Sequence, residues 1–352
     1  MTDAGLIEDR SQRIVLTVST MLAILLYAID MTVANVALPV LQGNLSATRE
    51  QAAWVLTSYL IASASALPAL AAVEARLGLR RTFLFAIVGF GVSSVLCGLA
   101  PNIESLVLAR FVQGLCGAGL LPLGQTALQT VYPPQLLSRA FAMLGMGVMV
   151  GPILGPSLGG WLTDEYGWRS VFYINVPFVL LALTGLSLTL RGTADPAPRR
   201  FDRLGFILLV LTIVPLQLAL DRGQQLDWFD SAEIVVECGI GLLAGWMFVV
   251  HMRTTDRPLF SPALAENRNL MIAIAMSLLV GWPFMGAMVM LPQFLQEVQG
   301  YPVVSAGLLL APRGLGIMIG MLLVSRVGWR LDPRMIFSVG CVALSSGLFA
   351  FS

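Results

Sequence analysis

The chain has 352 residues, is 57% hydrophobic and only 12% charged, and carries a formal charge of +1. Soluble domains hold about twice that charge fraction, so this composition, with a mean hydropathy of +0.82, excludes an ordinary soluble domain. A near-neutral balance offers no footing for nucleic acid.

A hydrocarbon core of about 30 Å takes roughly 20 helical residues. Eleven apolar runs of that order are read at about 14–41, 52–74, 82–100, 104–131, 140–163, 168–190, 204–221, 232–251, 270–295, 304–325 and 335–352. None alternates with period two, which favours helices over a barrel. The fold class is therefore all-α, a polytopic membrane protein.

The first run follows the polar tail MTDAGLIEDRSQR and is far longer than the roughly 7–15 apolar residues of a signal peptide, so it is expected to stay as an anchor. Inside it, in LLYAIDMTVANVALP, Asp30 is a lone carboxylate with no charged residue between Ile14 and Leu41. After the second run comes ARLGLRRTF, and after the tenth SRVGWRLDPRMIF. Arg76 to Arg80 and Arg326 to Arg330 share the pattern R-x-G-x-R; glycine permits a tight turn and the arginines hold it at one surface. The spacing suggests two related bundles.

In the fourth run, LARFVQGLCGAG holds Arg110 and Gln113. A charge within a span faces a partner or a water-filled cavity. Arg110 lies about 9 Å from its outer end at Glu104, and Asp30 about 16 Å from its outer end at Leu41, at 1.5 Å per residue. That is about one turn of difference, within an arginine's reach. Asp30 is expected to face a polar cavity with Arg110 in electrostatic range. Two readings stand open: a structural partner of Arg110 or of a backbone amide, or an acid poised between desolvation and a neighbouring cation to load and release a proton.

The fifth run contains GPILGPSLGG. Gly151, Gly155 and Gly159 share a helix face that lets another backbone approach, with Gly160 beside them. Pro152 and Pro156 each remove an intrahelical bond. A smooth, bent helix suits a surface on which two bundles rock; ordinary small-residue packing is the bland alternative. The polar segment RGTADPAPRRFDR reads as a linker, followed by two further spans. The four cysteines lie far apart in apolar runs and His251 is the single histidine, so a metal site is not expected. Arg313 lies within the tenth run and is assigned no role.

All 21 basic residues are arginine. With the N-terminus inside, sixteen fall in the tail and inner loops and three (Arg49, Arg169 and Arg222) outside, an asymmetry that orients the array with a cytoplasmic N-terminus.

These segments resemble the fourteen-helix drug:proton antiporter branch of the major facilitator superfamily, the EmrB/QacA type. DMTVANVALP is similar to its first-helix signature, WVLTSYLIASASALP to its second helix, RFVQG to its fourth-helix motif, GPILGPSLGG to its antiporter motif, and WRSVFYINVP to the start of its sixth helix. LQLALDRGQQLDWF and LPQFLQEVQGY resemble its EmrB-like members. The resemblance implies a tail over 1–13, a six-helix bundle over 14–190, a basic linker with two extra helices over 191–268, and three helices of an incomplete second bundle over 269–352. It implies alternating access, with proton entry driving export of hydrophobic or cationic compounds.

By motif position, Asp30 takes the coupling acid and Arg110 the arginine that tunes it. The candidate cavity residues are Tyr27, Asn35, Tyr59, Phe111, Gln113 and Gln125. Arg76, Gly78, Arg80 and Arg81 form the cytoplasmic loop motif. The family's first loop glycine is Ala71 here, and its loop acid is Ala75, with Glu74 adjacent. No cofactor is implied beyond H⁺. Partners would be a small-molecule substrate, membrane lipid, a periplasmic adaptor protein and an outer-membrane channel, with the chain in a bacterial inner membrane. A dedicated metabolite or organic-acid exporter on the same scaffold and a truncated product remain alternatives. An enzyme would need a cluster of catalytic groups at one depth, and Asp30 with Arg110 offers none.

Overall fold

A computed structural model describes residues 10–190 and 201–301 without 257 and 262, then 309–310, 312, 316–317, 319–324, 326 and 331–349. Within these residues the chain is a succession of helices: α1 Arg10–Asn44, α2 Arg49–Leu77, α3 Leu79–Leu99, α4 Ile103–Gly117, α5 Leu120–Val131, α6 Pro134–Tyr166, α7 Ser170–Tyr173, α8 Asn175–Thr189, α9 Arg203–Arg222, α10 Ala232–Thr254, α11 Ala263–Glu266 and α12 Arg268–Gln293, with a last helix Pro333–Phe349. Among the described residues eight candidate spans are long and apolar enough to cross a membrane, so the protein is a multi-pass membrane protein. Half of the tenth expected run falls outside the described residues, as do Arg313 and positions 327–330 of the second R-x-G-x-R.

Local chemistry sets the ends. Thr48 accepts from the Gln51 amide at 3.2 Å while the Gln51 side chain accepts from the Thr48 amide at 2.9 Å, a reciprocal cap that starts α2. Asn102 caps α4 in the same way through Ser105. Gly78 alone separates α2 from α3, at φ +78° and ψ 156°, a conformation close to glycine-only. Two expected spans are divided. The fourth is split by Ala118 and Gly119 into α4 and α5, which together still form one span. The sixth breaks at Ile174 between α7 and α8; Pro177, near the start of α8, has no amide hydrogen to carry the ladder back across that point. The helices of the first and fifth expected spans, α1 and α6, begin earlier than hydropathy places them, at Arg10 and Pro134, because polar residues extend a helix beyond the apolar stretch.

In the first bundle α1 is central and packs on α6, α8 and α5, α2 packs on α4, and α3 packs on α4 and α8. One buried cluster gathers Leu16, Ile24, Tyr59, Phe83, Phe90 and Leu186; a second gathers Ile29, Val33, Val55, Leu106, Trp168 and Phe172. The large side chains left outside, among them Leu181, Leu188 and Trp246, are the lipid-facing kind, since lipid is as apolar as leucine. Outside the bundle α9 packs on α10 and α2. The Thr57 hydroxyl donates to Asp221, and Arg222 pairs with Glu233 and, at 2.7 Å, with Glu237.

Candidate functional site

The two clusters of the first bundle are joined by a polar knot at Asp30. Its side chain is 1% exposed. Oδ2 accepts from Nη1 of Arg110 at 2.6 Å, and Oδ1 accepts from Nε2 of Gln113 and from Nδ2 of Asn175, each at 3.0 Å. Arg110 has no exposed surface; its Nη1 also donates to Oε1 of Gln113 at 2.7 Å and its Nε to the Val55 carbonyl at 3.2 Å. The guanidinium lies over the Tyr59 ring at 4.4 Å and faces Phe172 at 5.8 Å. Burying this ion is tolerable because it is paired, hydrogen-bonded and stacked at once. Arg110 is placed by α4, whose fixed register puts Gln113 one turn further along the same face.

Asp30 does not open on a polar cavity, contrary to expectation. In this conformation the donors from α4 and α8 fold inward and close over it. Of the candidate cavity residues, Gln113 and Tyr59 belong to the knot and are fully buried. Tyr27 is half-buried, its ring 6.4 Å from that of Tyr59. Asn35 and Gln125 are exposed, and Phe111 lines a different space. That space is an apolar cavity of about 530 Å³ between α2, α4 and α9, lined also by Trp54, Ile61, Val107 and Val214. The physical reason is that a helix facing lipid is apolar all round, so hydropathy does not tell inward from outward faces.

The glycine face of α6 also differs from expectation. It meets α1 inside the first bundle instead of presenting a surface to a second one. A Cβ on Gly151 would come within 2.5 Å of the Ala28 carbonyl carbon, and Thr32 Oγ1 donates to the Gly151 carbonyl at 3.2 Å. A Cβ on Gly155 would overlap Thr32, and one on Gly159 would touch Val33 at 3.0 Å. Gly160 meets nothing within 4 Å. α6 runs unbroken through Pro152 and Pro156; Pro156 is half-buried, and the side chain of Pro152 lies outside the described residues. In the loop motif Arg76 and Arg81 are exposed, while Arg80 Nη2 donates to the Ser187 carbonyl near the end of α8 at 2.9 Å.

Two members of the knot escape a sequence reading. Asn175 Nδ2 also donates to Ser94 Oγ at 2.9 Å, and Ser94 donates to the Phe172 carbonyl at 2.8 Å. The available signal was a single amide in the otherwise apolar run FYINVP. Among the described residues no group of three His, Cys, Asp or Glu side chains could hold a metal.

Residues 20–352 match the Major Facilitator Superfamily. The chain is 37% identical to the Escherichia coli K12 multidrug export protein EmrB over 93% of its own length and 64% of that protein's. It is 36% identical to the Neisseria gonorrhoeae fatty acid resistance protein FarB over 96% of its length and 66% of that protein's. It therefore spans just under two thirds of these relatives. In structure it is similar to the proton:xylose symporter XylE, with a TM-score of 0.61 at 15% identity, covering 90% of this chain and 69% of that one. It is also similar to the peptide transporter POT, with a TM-score of 0.62 at 16% identity, covering 94% and 72%. With the helical array, the buried acid–arginine knot and this match over nearly the whole sequence, the chain belongs to the major facilitator superfamily of transporters.

Proposed function

We propose that the full-length protein is a proton-coupled exporter of hydrophobic or cationic compounds that works by alternating access, with Asp30 as the acid that gains and loses the proton and Arg110 as its counter-charge. The observation that carries this is the contact of Asp30 with Arg110 across α1 and α4, in a membrane-spanning bundle, where each partner is too costly to leave alone. Protonation neutralises Asp30 and weakens its hold on α4, which biases one conformation over another. The closed knot is then the occluded form, and proton exchange occurs when α1 and α4 part. The similarity to EmrB supports the substrate class. The same reading places the chain in a bacterial inner membrane with the N-terminus in the cytoplasm, acting with a periplasmic adaptor and an outer-membrane channel.

The test is proton flux in vesicles reconstituted with the full-length protein and driven by a gradient of a lipophilic cation such as ethidium. Asp30→Asn should abolish flux while expression is unchanged; retained flux rejects the assignment. Arg110→Lys keeps the charge but loses the planar fork, so wild-type behaviour across pH would reduce the role of Arg110 to charge alone. The similarity to FarB favours a second reading, an exporter of organic acids. Flux driven by a fatty acid and not by the cation would select it.

A further inference from the structure

Among the described residues the oxygens of Asp30 are met only by donors: Arg110 Nη1 on Oδ2, Gln113 Nε2 and Asn175 Nδ2 on Oδ1. Such a cage suits a carboxylate. A carboxylic acid adds one O–H that needs an acceptor, and a guanidinium has none to give. Gln113 Oε1 is already taken, by Arg110 Nη1 at 2.7 Å and Cys97 Sγ at 3.5 Å. The amide of Asn175 is different, because turning it over exchanges Nδ2 for Oδ1 without moving the backbone.

That turn has a consequence one bond further on. Asn175 Nδ2 faces Ser94 Oγ as well as Asp30. Once Oδ1 takes its place, Ser94 must donate to it. A hydroxyl has one hydrogen, and that hydrogen now goes to the Phe172 carbonyl. Protonating Asp30 therefore takes the Ser94 bond away from the Phe172 carbonyl and leaves it only its backbone partners, the Ile174 amide among them, at the point where α7 ends and α8 begins. The titratable groups around Asp30 are Arg110 from α4, Cys97 from α3, Tyr59 from α2 and Tyr27 from α1; the Tyr59 hydroxyl is a buried oxygen outside the hydrogen bonds of the knot, so Tyr59→Phe should leave the response to residue 30 intact.

We propose that Asn175 is a positioning residue that reads the protonation state of Asp30 and passes it, through Ser94, to the backbone at the α7–α8 break. The step moves one proton onto a carboxylate oxygen and exchanges hydrogen-bond partners, with no covalent bond broken elsewhere. The proposal rests on Asp30 as the coupling acid, and its test separates the two ideas.

Asparagine at position 30 is neutral and, like a protonated acid, presents a donor beside a carbonyl, so Asp30→Asn holds the signal on at constant pH. Amide hydrogen exchange of residues 170–176 in the purified full-length protein should rise about fivefold in Asp30→Asn, the worth of one hydrogen bond. Ser94→Ala should show the raised exchange with Asp30 intact, and adding Asp30→Asn should change nothing more. Ser94→Thr keeps the hydroxyl and should restore the response to residue 30. Exchange unchanged in Asp30→Asn, in a variant that has lost proton flux, overturns the relay and leaves the coupling acid standing. A Ser94→Ala protein that still responds to Asp30→Asn overturns it equally. Proton flux retained in Asp30→Asn removes the coupling role first and the relay with it.

Discussion

Truncating Asp30 to alanine leaves a guanidinium with no exposed surface and no counter-charge. Nη1 loses its 2.6 Å partner but keeps Gln113 Oε1 at 2.7 Å, and Nε keeps the Val55 carbonyl at 3.2 Å. Deleting one member of a buried pair costs about 3–5 kcal/mol. The Tyr59 ring at 4.4 Å retains roughly 2 kcal/mol of cation–π attraction, so Asp30→Ala is expected at the low end, about 3 kcal/mol. Arg110→Met keeps much of the side-chain bulk without charge, and the double variant Asp30→Ala/Arg110→Met contains no orphaned ion. It should be more stable than Asp30→Ala by about 2 kcal/mol. The assay is unfolding by sodium dodecyl sulfate in mixed micelles, read by tryptophan fluorescence on the four proteins of a double-mutant cycle. A coupling below about 0.5 kcal/mol, with the double variant no better than the single, would refute the reasoning and place the two charges apart in solution.

Gly151→Ala drives a methyl group against the Ala28 backbone at 2.5 Å and should cost about 1–3 kcal/mol, whereas Gly160→Ala meets nothing within 4 Å and should stay within about 0.5 kcal/mol of wild type; thermal unfolding by intrinsic fluorescence compares them. Burial pushes the Asp202 carboxyl up, but bonds from the Gly205 amide, His251 and the Leu259 amide outweigh this and hold it below the ordinary range. Its stabilisation is thus present above the unfolded carboxylate's pKa of about 4 and is lost as pH falls through the folded value; the advantage of wild type over Asp202→Asn should shrink on acidification below about pH 4 in unfolding titrations. Arg80→Ala removes the bond to the Ser187 carbonyl and should loosen the end of α8 by about 1 kcal/mol, seen as faster amide exchange at residues 186–190.

The sequence makes some of this legible and hides the rest for definite reasons. Asp30 stands out because a lone acid in an apolar run has no cheap explanation, and a count of helical rise brings Arg110 within a turn of it; the two are in contact. Gly78 was legible as a turn because only glycine takes that backbone readily. Asn175 was not, since one amide in FYINVP looks the same whether it caps a helix, faces lipid or holds an acid. The directions of Phe111, Asn35 and Gln125 were hidden too: in water polarity marks the outside of a helix, and in lipid it does not. The break after Tyr173 needed Pro177 to be weighed against a continuous apolar run.

α1 is seated in notches on several sides. Besides the α6 notch, a Cβ on Gly124 of α5 would collide with Thr20 and Ile24, and one on Gly185 of α8 with Ser19. A rod keyed into its neighbours this closely cannot slide or roll by itself. Any tilt of α1 must carry α5, α6 and α8 with it, and the Asp30–Arg110 pair links this group to α4. The Asp30–Arg110 bond is then a fastener across a seam, and under the proposed coupling a single proton would be the key that undoes it.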